Sequence, residues 1–132
     1  MKEQSVVDAV VAELGRQGFC VNTEVPNFYR SADVAAVDKS GDVWVIECKV
    51  SDISRAIQQA RIHQLAADRV LVATPFRRTR PSTLSRLQDA GIGLMYVMPD
   101  GGIAEAYEAP RTREPWEYAR DTLRRAIVED AA

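Results

Sequence analysis

Two acids and a lysine stand at the ends of two short apolar runs: Asp33 lies at the head of the first, and Glu47 and Lys49 close Val43-Trp44-Val45-Ile46-Glu47-Cys48-Lys49. Glu47 and Lys49 are separated by one residue, so in a strand both point to the same face. Charged groups at the end of a hydrophobic strand are costly unless something uses or neutralises them. Two carboxylates brought face to face repel, and burial penalises each further; a divalent cation removes that conflict. Magnesium takes a few hard oxygen ligands, keeps waters and commonly completes its shell with substrate phosphate. The expected protein ligands are Asp33, Glu47 and the backbone carbonyl of Cys48, with Mg2+ as the ion and Mn2+ as a substitute. Lys49 would hold or activate the attacking water, or neutralise charge gathering on phosphoryl oxygens. The metal lowers the pKa of water and polarises the phosphate, so the chemistry assembled is hydrolysis of a phosphodiester.

Whether the acids meet depends on the turn between the runs. A three-residue loop, Lys39-Ser40-Gly41 with Gly41 left-handed, pairs Asp38 with Asp42 and so sets Asp33 opposite Glu47. Opposed residues hold their Cβ atoms about 4.5–5.5 Å apart. A two-residue turn at Ser40-Gly41 would send Asp33 to the wrong face. The other face of the hairpin carries Val34, Ala36, Trp44, Ile46 and Cys48. Ser54 to Ala67, through Ala56, Ile57, Ala60 and Leu65, is the expected cover for it.

The remaining elements follow from periodicity and breakers. Val6, Val7, Val10, Val11 and Leu14 predict a helix over 5–17, capped by Ser5 and ended by Gly18. Phe19 to Val25 reads as a strand closed by Pro26, followed by strands at 32–38 and 43–50. Arg69 to Thr74 and Gly93 to Met98 are further strands, with a helix at Ser82 to Ala90 between them. An edge piece at Ile103–Tyr107 and an amphipathic helix from Pro115, bearing Trp116, Ala119, Leu123, Ala126 and Ile127, complete the chain. An early hairpin and later helical crossovers predict an α/β layered fold with a mixed sheet.

At 132 residues the chain suits one domain. It holds no run of about 18 apolar residues and opens on Met1-Lys2-Glu3-Gln4 rather than a leader, so no membrane and a cytoplasmic location are expected. Cys20 and Cys48 lie in apolar runs as buried thiols, no zinc spacing is present, and His63 fits neither a triad nor a metal cluster. The net charge of −2 argues against non-specific polyanion binding, but Arg55, Arg61, Arg69, Arg77, Arg78, Arg80 and Arg86 face only Asp68 across residues 55–86. That asymmetry offers a phosphate-facing patch.

With these residues in place the chain resembles the PD-(D/E)xK nuclease superfamily, which includes restriction endonucleases and Holliday junction resolvases. The resemblance covers roughly residues 5–98: the acid of the second strand falls on Asp33 and the E-x-K motif on Glu47-Cys48-Lys49. Ala32 stands where the family often has proline. The resemblance implies a restriction endonuclease-like three-layer core, a central mixed sheet flanked by helices, in a single domain 1–132 with an extension at 99–132. It also implies a metal-binding acid on the first helix, best matched by Asp8 with Glu13 and Glu24 as competitors, and a catalytic glutamine on the crossover helix, best matched by Gln59 rather than Gln58. DNA is the implied partner, with Arg77, Arg78 and Arg80 on its phosphates. No helix-turn-helix or zinc finger is present, which suits structure recognition or a subunit of a larger complex over site-specific cutting. A homodimer is expected by resemblance, with Tyr96, Trp116 or the closing helix as interface. The rival readings are a catalytically silent nuclease-like module that binds nucleic acid or protein, and a small interaction protein.

Overall fold

A computed structural model describes residues 1–130. Six strands form one sheet in chain order. The first three, β1 (Cys20–Asn27), β2 (Arg30–Val37) and β3 (Val43–Cys48), make an antiparallel meander. Next come β4 (Arg69–Pro75) and β5 (Gly93–Val97), parallel to β3, and then β6 (Ile103–Tyr107), antiparallel at the far edge. Pro26 lies inside β1 rather than closing it; an edge strand tolerates a residue that cannot donate to the ladder.

The helices sort onto two faces. α1 (Glu3–Arg16) buries Val6, Val7, Val10 and Leu14 against Val34, Ala36, Ile46 and Cys48. It starts two residues before the expected point: Lys2 is its N-cap residue, without a side-chain cap, and Ser5 sits within the first turn. α2 (Ile53–His63), α3 (Pro81–Ala90) and α4 (Glu117–Asp130) contribute Ala56, Ile57, Ala60, Leu87, Ala119, Leu123 and Ile127 to the opposite core, with Ala35, Val37, Val43 and Val45. The cover expected from Ser54 to Ala67 is therefore reversed. β3, α2 and β4 form a parallel crossover whose right-handedness decides the side on which α2 lies, and α1 is left to cover the other. Leu65 falls beyond the end of α2 and is exposed.

Three layers result, one helix against one face of a mixed sheet and three against the other. Residues 103–107 complete the sheet edge, and α4 lies on β1 and β2. Among the described residues no helix is long and apolar enough to cross a membrane.

Candidate active site

The turn between β2 and β3 sets the geometry. Gly41 takes φ 91°, and the Asp38 carboxylate closes the loop by accepting from Ser40 N, Ser40 Oγ and Asp42 N. Asp38 N donates to Asp42 O at 3.0 Å, and Val37 pairs with Val43 and Val34 with Ile46. Continued by one residue, this three-residue-loop register sets Asp33 opposite Glu47. The ladder stops there, and the Asp33 side chain takes over from the main chain: its Oδ2 accepts the Cys48 N–H at 2.8 Å. N–H and C=O of one strand residue point the same way, so the Cys48 carbonyl is also directed toward β2. The Cys48 side chain turns to the opposite face, buried against the α1 layer, where burial and then the nearby carboxylates push its thiol far up.

Desolvation, followed by the hydrogen bond to Glu47 and its charge, pushes the Asp33 carboxyl up to about 7; the Cys48 N–H works in the other direction. Glu3 adds a smaller raising effect. The α1 acid that acts on Asp33 is thus Glu3. Asp8 is exposed and accepts from Gln4 Nε2 at 2.9 Å, Glu13 is engaged by Arg16 and Gln17, and Glu24 is exposed on β1. The early start of α1 explains the shift, because it puts Glu3 in the first helical turn.

Glu47 is buried, 3% exposed, and its Oε1 lies 2.7 Å from Nε2 of His63, which is wholly buried. The approach is close but off the axis of a good hydrogen bond. On its other side His63 Nδ1 lies 2.8 Å from Asn27 Nδ2. With Asn27 donating, the proton of a neutral imidazole sits on Nε2 and faces Glu47. Neither His63 nor Asn27 was anticipated. The available signal was helical spacing: His63 follows Gln59 by four residues and Ala60 by three, on the buried stripe of α2.

Lys49 directly follows β3, half-buried, with its N–H on Ala73 O at 3.0 Å. Among the described residues its ammonium forms no ion pair, so it does not simply neutralise Asp33 across the strands. Gln59 is half-buried and Gln58 exposed; both line a groove of about 510 Å³ with Arg30 and Arg55.

The arginines do not form one patch. Arg77 donates to Val50 O and to Thr74 Oγ1, bracing the chain that leaves β3, whereas Arg78 and Arg80 are exposed. Arg69 bonds Ala109 O and lies over Trp44, and Arg86 bonds Ser54. Asp68 is buried, taken by Val43 N and Arg120.

Among the described residues no group of three or more His, Cys, Asp or Glu side chains is disposed to hold a metal. The set at the strand ends is two carboxylates and a main-chain carbonyl. Asp33 Oδ2 accepts from Cys48 N, and Glu47 Oε1 lies against His63 Nε2 without a good hydrogen bond to it; among the described residues no protein N–H bonds the other two oxygens. Hard oxygens, with an Asp33 carboxyl raised by burial and then by Glu47, suit a small divalent cation that keeps most of its waters.

No family model and no curated protein sequence matches the chain. Solved structures do share its fold. A protein of unknown function from Silicibacter pomeroyi superposes with TM-score 0.72 at 24% identity, over 99% of this chain and 87% of that one. A repair endonuclease from Pyrococcus abyssi superposes with TM-score 0.55 at 19% identity, over 75% of this chain and 48% of that one. The architecture is restriction endonuclease-like. At these identities the likeness is one of fold, and the restriction endonuclease-like core accounts for the sheet order and the helices on both faces.

Proposed function

We propose that this chain is a metal-dependent nuclease of the PD-(D/E)xK type that hydrolyses phosphodiesters of DNA. The observation that carries the reading is Asp33 meeting Glu47 across β2 and β3, with Lys49 next to them at the strand end. Asp33, Glu47 and the Cys48 carbonyl would hold Mg2+ or Mn2+; when bound, the ion would polarise the phosphate and acidify a water. Lys49 positions the attacking water and offsets charge on the phosphoryl oxygens. As the oxygen of the attacking water bonds to phosphorus, its proton passes to solvent, the bond from phosphorus to the bridging oxygen breaks, and that oxygen takes a proton from solvent. Gln59 orients the water or a backbone phosphate, and His63 holds Glu47 in place from behind.

The test is a titration of Mg2+ and of Mn2+ against plasmid, single-stranded and branched DNA, with Lys49→Ala as control. Metal-dependent cutting by the parent that is lost in Lys49→Ala supports hydrolysis. Equal behaviour of the two proteins on every substrate assigns the chain instead to a silent binding module.

A further inference from the structure

Two depressions border the β1–β2 tip, one through Phe28 and one through Arg30. One is the polar groove of Arg30, Arg55, Gln58 and Gln59; the other, about 170 Å³, is lined by Phe28, Trp116 and Tyr118. Asp52 also borders the groove, its carboxylate accepting Arg55 N as the cap of α2, and the two arginines outweigh its single negative charge. Arg30 lies three residues before Asp33 on β2, and Gln59 lies one helical turn before His63, which touches Glu47. The groove is thus built on β2 and α2, the strand that carries Asp33 and the helix whose His63 touches Glu47.

The tip and the start of α4 expose an uncommon concentration of aromatic surface. Tyr29 is 82% exposed, Tyr118 67%, Trp116 55% and Phe28 43%. Arg30 lies over the Tyr29 ring at 5.8 Å, and the Trp116 and Tyr118 rings are 5.6 Å apart. Phe28 holds φ 60°, a conformation that is unfavourable for a bulky side chain and concentrates where a structure uses it.

We infer that this surface is a binding site for a nucleic-acid strand with unpaired bases, its phosphates on Arg30 and Arg55 and its bases stacked on Phe28, Tyr29, Trp116 and Tyr118. The inference rests on the nuclease reading and narrows its substrate. Exposed rings beside arginines suit splayed bases, whereas a duplex hides its base faces. A second copy of the chain fits less well, since a two-fold contact would bring two sets of Arg30 and Arg55 into one interface.

The experiment measures anisotropy of a labelled single strand and of a blunt duplex of equal length, in EDTA so that binding is separated from cutting. The parent should favour the single strand by about tenfold or more, and Tyr29→Ala or Tyr118→Ala should each weaken it about fivefold to a hundredfold. Duplex affinity should stay unchanged. Arg30→Ala should lower the salt slope of single-strand binding by about 1. Equal affinity for both forms, or tyrosine variants that bind the strand like the parent, overturns the site. So does a dimer dispersed by the tyrosine variants, seen by light scattering, without a change in strand affinity. Strand preference that persists in a chain unable to cut anything would retire the nuclease reading and leave the site; cutting that ignores the tyrosines would do the reverse.

Discussion

Glu47 and His63 meet at 2.7 Å inside the protein, an acid of β3 against the last turn of the crossover helix, with Asn27 behind the imidazole. Removing one member leaves the other buried without its partner. His63→Ala should destabilise the fold by about 2 kcal/mol, since it also leaves the buried Asn27 Nδ2 without its acceptor. The double variant with Glu47→Gln should lose less than the sum of the singles, leaving a coupling of about 1 kcal/mol or more in urea unfolding. Strict additivity would show that the contact carries no energy.

Asp33 sets a pH dependence of stability whose sign follows from its raised carboxyl. Its ordinary value is 3.8 and its folded value about 7, so between these limits the folded chain keeps a proton that the unfolded chain has lost. The contribution is fully present below the lower value and disappears as the pH rises through the upper one. Melting temperature should therefore fall across that window, and Asp33→Asn should flatten the profile. Added Mg2+ should raise the melting temperature more at pH 8 than at pH 5, about where the carboxylate is free to ligate. A gain that is equal at both values would contradict ligation by Asp33.

Lys49 contributes no ion pair to the described structure, so its replacement should separate chemistry from metal binding. Lys49→Ala should lower the cleavage rate at least about a hundredfold. The Mg2+ concentration for half-maximal activity should stay near that of the parent. A large shift in that concentration instead would place Lys49 among the residues that shape the metal site.

Arg77 and Arg78 are neighbours with different work. Arg77→Ala removes charged hydrogen bonds to Val50 and Thr74 and should cost about 1–2 kcal/mol in chemical denaturation. Arg78→Glu should leave stability within about 0.5 kcal/mol. If Arg78 tracks DNA, the same variant lowers affinity and its salt slope; an unchanged slope removes it from the track.

The hairpin was legible because local chemistry encodes it: Gly41 accepts the left-handed turn, and Asp38 and Asp42 close it, which is enough to register Asp33 on Glu47. The order and type of elements along the chain were legible from alternation and breakers for the same reason. The side taken by α2 was not, because apolar residues on both faces of a sheet look alike along the chain and crossover handedness decides between them. His63 was illegible for a related reason. Its partners are an asparagine 36 residues before it and an acid on another element, and only the packed crossover brings them together. Arg77 could not be told from Arg78, since the brace to Val50 is a tertiary contact.

Where β2 and β3 stop pairing, one carboxylate oxygen stands in for a main-chain acceptor. On the nuclease reading proposed above, Asp33 would therefore answer to two masters, since a chain that gave up cutting would still lose a sheet hydrogen bond by losing the acid. Lys49 makes no such contribution to the fold. Decay of activity in related chains would accordingly be written at the lysine before it reached the aspartate.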